Sequence, residues 1–435
     1  MPSLVRNPIS LAGAWLTTLS AFGFLTYYAA EWFGLFGSPY SGLIGFVLIP
    51  AGFVLGLVLI PVGALRETRR RRRGRTPWQW PTVDFGRSPT RRMLAVLGVL
   101  TVVNLGIVSL GALGAVKYMA TDQFCGQVCH EPMRPEFTAH QVAPHASVPC
   151  VSCHVSPGAA GAVRAKLNGA RQAYLYLTGS HARPIGSPAA NIPPSADTCA
   201  RCHSVGHDRP DITRVFRTFA DDQANTETAT TLRVRTQAIH WHARPDVRIE
   251  YVATDGTRET IPYVRVTAPD GQVTEYFADG VTAAPAGAVR LMDCQDCHNR
   301  PAHAMTRRAD QAVDEALAAG RISLTLPFAR REAVAALTAP YATEADAAAA
   351  IRARLSAFYA TRPDAPPTDV ARAIDEVIHL YRVSVFPDMR VGWGTYVTRL
   401  GHADGSGCFR CHDDGHKTRS ERVIRQDCEL CHREQ

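Results

Sequence analysis

Six copies of a cysteine pair followed directly by histidine use all twelve cysteines of this 435-residue chain. Five have two residues between the cysteines: Cys150/Cys153/His154, Cys199/Cys202/His203, Cys294/Cys297/His298, Cys408/Cys411/His412 and Cys428/Cys431/His432. The first in the chain, Cys125/Cys129/His130, has three. On a helical turn this spacing sets both sulfurs to one side, where they form thioether bonds to a porphyrin's vinyl groups. The adjacent imidazole then reaches the iron from one face. Paired cysteines also build zinc sites and disulfides, but neither requires histidine immediately after the second cysteine. With histidine at only 16 of 435 positions, the repetition points to covalently bound haem c, six in all.

Each iron needs a second axial group unless its site stays open. Ten histidines lie outside the motifs: His140, His145, His181, His207, His240, His242, His303, His379, His402 and His416. His145, His303, His402 and His416 fall close to a motif in loops with Gly or Pro nearby, and are expected as distal ligands. His240 and His242 flank Trp241; in an extended segment both point to one face and could ligate separate irons. His379, between Ile378 and Leu380 in a helical stretch, reads as a packing residue, while His140, His181 and His207 stay undecided. Met133 follows His130 by three residues, within reach of the same turn, and a thioether ligand would raise that haem's potential. The sequence leaves open whether His130 or Met133 holds this iron.

The elements that carry these motifs begin in a membrane. Three charge-free apolar stretches, about Ile9–Ala30, Gly42–Leu65 and Met93–Val116, are each long enough to span the hydrocarbon core. Between the second and third lie Arg66, Arg69, Arg70, Arg71, Arg72, Arg73, Arg75, Arg87, Arg91 and Arg92, which the positive-inside rule keeps in the cytoplasm together with Arg6. Everything after Val116 is then outside, and Trp32, Phe33 and Phe36 are expected as an interfacial belt on that same face. The first span reads as an uncleaved anchor, because it is too long for a signal peptide and leads straight into another span. The arginine run is a topology signal and accounts for much of the net charge of +8, so no nucleic-acid partner is expected. The expected location is the bacterial inner (cytoplasmic) membrane, multi-pass, with the haem domain in the periplasm, where haem c is attached.

The expected fold class is mainly α: three transmembrane helices plus a periplasmic multihaem domain of short helices and loops, with a small antiparallel β insertion. Residues 1–92 form a two-helix membrane extension with its Arg-rich loop, and 93–119 the anchor helix. Residues 120–205 carry three motifs on short pieces broken by Pro144, Pro149, Pro157 and the Pro184–Pro194 stretch. Residues 206–290 form a loop and β-rich insertion, with Asp221–Thr231 as an exposed loop. There Val247–Phe277 alternates around Asp255-Gly256 and Asp270-Gly271, the pattern of a meander. Residues 291–435 carry the last three motifs; Pro327, Pro340, Pro363, Pro366 and Pro367 divide its Ala-rich part, about 308–382, into three or four scaffold helices.

A transmembrane helix leading into Phe124-Cys125-Gly126-Gln127-Val128-Cys129-His130-Glu131-Pro132-Met133, then Ser147-Val148-Pro149-Cys150-Val151-Ser152-Cys153-His154-Val155, resembles the NapC/NirT family of membrane-anchored multihaem cytochromes c. The likeness covers about residues 95–205. Its members, such as the partner of periplasmic nitrite reductase, are quinol dehydrogenases. The resemblance implies that the haem nearest the membrane takes electrons from menaquinol or ubiquinol in the membrane quinol pool. A periplasmic cytochrome or reductase would receive them. Met133 resembles the family's methionine ligand, and Lys166 the lysine near the quinol pocket. Ala173 stands where the family's acidic residue is expected, which leaves Glu131, Asp122 and Gln172 as the other polar candidates. Family members usually have one membrane helix and four or five haems. Three spans, six motifs, Asp293-Cys294-Gln295-Asp296-Cys297-His298-Asn299-Arg300-Pro301 and Gly392-Trp393-Gly394-Thr395-Tyr396 look closer to the longer inner-membrane branch of metal-respiring bacteria. The alternatives are a terminal reductase of nitrite or hydroxylamine, and an electron-wiring subunit of a larger membrane complex.

Overall fold

The computed structural model describes residues 7–32, 48–72, 86, 88–186, 192–203, 210–303, 305, 308–403 and 405–434. The side chains of Trp32 and His130, together with Arg6, Phe33, Phe36, Arg73, Arg75, Arg87 and His207, lie outside that description. The chain divides into two compact units, Met1–Val128 and Cys129–Gln435.

The first unit contains α1 (Pro8–Trp32), α2 (Ile49–Arg72), α3 (Ser88–Tyr118) and the short α4 (Asp122–Gln127). Three stretches in it are long and apolar enough to cross a membrane: Pro8–Ala29, Ile49–Arg70 and Gly98–Tyr118. Small residues let α1 and α2 approach closely. A Cβ on Gly56 would lie 2.4 Å from Thr17 Oγ1 and 2.7 Å from Gly13 O, so side chains there would force the backbones apart. Ser10 Oγ donates across the pair to Ile60 O at 2.9 Å, a bond suited to a medium without water. On α3, Leu100, Val102, Leu105, Leu110 and Leu113 are exposed, as expected of a helix whose solvent is lipid. Thr121 then caps α4, its Oγ1 accepting from Phe124 N at 3.2 Å.

The second unit opens with α5 (His130–Val142), α6 (Cys150–His154) and α7 (Gly158–Leu177). Two antiparallel sheets follow. One has the order β1 (Ile212–Phe219), β2 (Glu227–Val234), β7 (His432–Glu434); the other runs β5 (Val273–Phe277), β4 (Tyr263–Thr267), β3 (Arg248–Val252), β6 (Arg290–Leu291). The expected meander is thus present at β3–β5. The expected loop Asp221–Thr231 is corrected: from Glu227 onward it is strand β2, where the threonines supply β-branched side chains that suit a pleated surface. Only the turn before β2 is a loop, and it is not free. Asn225, buried and in the left-handed region at φ 49°, donates to Leu324 O and Leu326 O and accepts from Arg330 N.

Those contacts dock the hairpin on a bundle of α9 (Ala309–Ala318), α10 (Ala329–Thr338), α11 (Glu344–Ala360) and α12 (Pro367–Ser384). Val313, Leu317, Leu337, Ile351 and Val377 are its buried centre, and alanines fill the closest approaches. A second correction concerns His240 and His242. They do not lie on a strand but on a short helix, α8 (Thr236–His240), and the 3-10 turn Trp241–Ala243 that continues it.

Candidate functional site

Each regular motif folds as one tight turn. Cys150–His154 is helix α6, while Cys199–Arg201, Cys294–Asp296, Gly407–Arg410 and Cys428–Leu430 are 3-10 turns. The histidine amide bonds back to the first cysteine's carbonyl at 2.8 Å in His203 and His298 and 3.0 Å in His412. This winds the two sulfurs to one side and sends the imidazole out beside them. Asp293 and Asp427 cap their turns through Gln295 N and Glu429 N. At the fifth turn a Cβ on Gly407 would lie 1.5 Å from Gly401 O, so only glycine permits the contact that brings Cys408 N to that carbonyl. Ten of the twelve cysteines are half-buried, and Cys202 and Cys428 are exposed. In the irregular motif Cys125 lies on α4 and Cys129 caps α5, with half-buried Met133 one turn in, its amide bonded to Cys129 O at 3.1 Å.

Two imidazoles that hold one iron from opposite sides have ring centres about 6 Å apart, since each nitrogen sits about 2 Å from the metal. The five regular motif histidines all face a second imidazole at this separation. The pairs are His154 with His303 at 6.1 Å, His203 with His145 at 6.0 Å, His298 with His240 at 6.3 Å, His412 with His242 at 5.9 Å and His432 with His402 at 6.0 Å.

Backbone carbonyls hold half of these rings by Nδ1, which leaves Nε2 for a metal. The contacts are His145 with Pro301 O at 3.2 Å, His240 with Thr236 O and His242 with Ile239 O at 2.8 Å, His303 with Glu136 O at 3.0 Å and His412 with Arg425 O at 2.9 Å. Burial pushes His154, His242, His298 and His303 below the usual imidazole range, so these rings are neutral at neutral pH, the form that binds metal. The donor set fits haem c: two sulfurs and one imidazole on a turn, with a second imidazole opposite.

The five regular motifs are also neighbours in sequence order. Burial raises the Cys153 thiol, and Cys199 and Cys202 add to it; burial raises Cys294, with Cys199 contributing. Burial takes Cys297 to about 11 and Cys411 to about 12, with Cys408 contributing to both, and raises Cys431, where Cys408 contributes again. Polar ties run alongside. Gln295 Nε2 donates to Pro193 O at 2.6 Å, and Arg410 Nη2 to Asp296 O at 2.6 Å.

His416 departs from expectation. It is buried, with Nε2 2.6 Å from Ile261 O and Nδ1 2.9 Å from Asp413 Oδ1, so both nitrogens a metal would need are engaged. His379 is also corrected, lying on the exposed face of α12 rather than packing. His140 is buried with Nε2 3.0 Å from Val148 O, and His181 Nε2 accepts from Arg183 Nε at 3.2 Å. Among the polar candidates, Glu131 pairs with Arg183 at 2.5 Å, Lys166 and Gln172 are exposed on α7, and half-buried Asp122 opens α4 in the first unit. Sequence reading passed over Glu136 and Asp296. The one signal for Asp296 was its position between two motif cysteines.

No protein-family profile matches the chain, and no solved structure does. A curated relative does: the cytochrome c-type protein ImcH of Geobacter sulfurreducens is 36% identical over 98% of this chain and 87% of its own length.

Proposed function

Because the chain belongs to the ImcH-like family of cytochrome c-type proteins, we propose that it is a hexahaem membrane cytochrome that oxidises quinol at the outer face of the inner membrane. It passes the electrons to a periplasmic redox partner. The observation that carries this reading is the set of five facing imidazole pairs. Two imidazoles on each of these five irons would leave no open position there for a small substrate, which favours a relay over a nitrite or hydroxylamine reductase.

Haem c, when bound, supplies one-electron oxidation and reduction. His154, His203, His298, His412 and His432 would hold the irons from the attachment turns, and His303, His145, His240, His242 and His402 would supply the second imidazoles. The carbonyls on Nδ1 fix five of the ten rings beforehand, which limits their rearrangement on a change of charge. Cys125 follows α3 closely in the chain, so the first motif would serve as the membrane-side entrance, where Met133 would hold the iron and supply a higher potential than an imidazole. Quinol oxidation also releases two protons. Lys166 orients the quinol oxygen, Glu131 and Asp122 are the carboxylates able to take up a proton, and Gln172 can contribute a hydrogen bond.

Stopped-flow reduction of the purified full chain by a menaquinol analogue tests this. Rapid reduction of the haems is expected, slowed several-fold in Lys166→Ala at unchanged haem content. If no quinol analogue reduces the protein while dithionite does, the quinol reading fails. Turnover of nitrite or hydroxylamine would favour the reductase.

A further inference from the structure

Between the fourth and fifth motifs lies a group of charges that does not balance. Arg258, Arg399 and Arg410 are 12%, 2% and 7% exposed, and half-exposed Arg290 joins them; the carboxylates beside them are Asp296 and Glu259. Asp296 receives Arg258 at 2.9 Å, Arg290 at 3.4 Å and the Tyr251 hydroxyl at 2.6 Å. Arg410 places its donors on carbonyls: Gly407 O, Arg258 O and Asp296 O. Arg399 has Glu259 Oε1 at 3.3 Å from Nε and gives Nη2 to Thr257 O. Its Nη1 is buried and has no hydrogen-bond partner among the described residues.

A guanidinium does not shed its proton to escape burial, and a buried charge without a counter-ion is strongly unfavourable. Burial and the neighbouring Arg410 and Arg258 charges do depress Arg399, in keeping with a surplus of positive charge. The orphaned atom belongs to a residue that lines a cavity of about 120 Å³ together with Thr257, Asn299 and Tyr396. Asn299 directly follows His298, accepts from Arg399 N at 3.0 Å and donates to Val397 O at 2.7 Å. The site is therefore anchored to the residue that directly follows the fourth motif. A fitting ligand is a carboxylate that arrives with the group held at that motif.

We propose that Arg399 Nη1 receives a propionate of the haem carried by Cys294, Cys297 and His298, and that this buried cation raises that haem's midpoint potential. Reduction adds negative charge to the haem, and a desolvated guanidinium favours the added electron. The inference rests on haem c at the fourth motif, and a haem count by pyridine haemochrome tests that premise separately.

The test is a potentiometric titration of the full-length holoprotein, followed by optical and EPR spectroscopy. In Arg399→Gln one low-spin haem should shift so that its oxidised-to-reduced ratio at fixed potential rises about tenfold, equivalent to about 59 mV for one electron. Arg399→Lys, which keeps the charge, should stay close to wild type. Glu259→Gln removes the carboxylate beside Arg399 and should move the same haem upward. Unchanged potentials in Arg399→Gln at full haem content overturn the proposal. If that variant does not retain its haems, Glu259→Gln decides: a rise supports the site and no change overturns it. A wild-type potential that moves with added acetate or phosphate would assign the site to a diffusible anion and overturn the propionate.

Discussion

The Nδ1 of His303 lies 3.0 Å from the backbone oxygen of Glu136 and 3.1 Å from its carboxylate, so one residue fixes both the tautomer and the orientation of the ring that faces His154. Arg300 closes the arrangement, its Nη2 2.9 Å from the same carboxylate. A carboxylate on Nδ1–H makes the imidazole a stronger donor and favours ferric iron. Glu136→Gln keeps the backbone contact, removes the charge and should raise one haem's midpoint by on the order of 59 mV, a tenfold change in its redox equilibrium. Redox titration of the variant against wild type measures this.

His240 and His242 project from one turn toward different motif histidines, His298 and His412. Each alanine variant should convert one haem to high spin, and the double variant two. EPR spin counting distinguishes this from a shared iron, for which the second substitution would add nothing.

His416→Ala should leave every haem low-spin but lower the unfolding free energy by about 2–3 kcal/mol, since it leaves the Ile261 carbonyl and Asp413 without their buried partner. Optical spectra and denaturant melts of the same preparation separate the two effects. A new high-spin signal would restore His416 to the ligands.

Asn225 joins the β1–β2 turn to the helical bundle through two buried carbonyls and one amide, and adopts a positive φ. Asn225→Ala loses those bonds and strains the backbone, with an expected cost of about 2–4 kcal/mol. Asn225→Gly relieves only the backbone part and should be the milder variant in thermal melts.

The attachment sites are legible in the sequence because thioether chemistry requires adjacent residues, and adjacency is what a sequence displays. The second imidazoles are less so. His145, His303 and His402 stand close to motifs, yet none faces the motif nearest to it in the chain: His145 faces His203, His303 faces His154 and His402 faces His432. His416 has the same surroundings in sequence, but its nitrogens are taken by Ile261 O, a residue far away in the chain, and by Asp413. His240 and His242 read as strand residues because they alternate, although the local backbone is helical and each Nδ1 is held by a carbonyl three or four residues earlier. The long apolar helices were visible from composition alone. The hairpin at β1 and β2 was not, because its polar strands contribute little to a buried face.

The ligand pairing also sets a schedule for maturation. In four of the five pairs the second imidazole precedes the motif it serves, so on the proposed periplasmic placement His145, His240, His242 and His402 would already be exported when His203, His298, His412 and His432 emerge. The pair His154 and His303 runs the other way. A haem joined to Cys150 and Cys153 as the chain is secreted would stay five-coordinate until the segment ending at His303 has crossed the membrane and folded back. A nascent chain stalled before that point should carry one reactive, ligand-binding haem that the finished protein lacks.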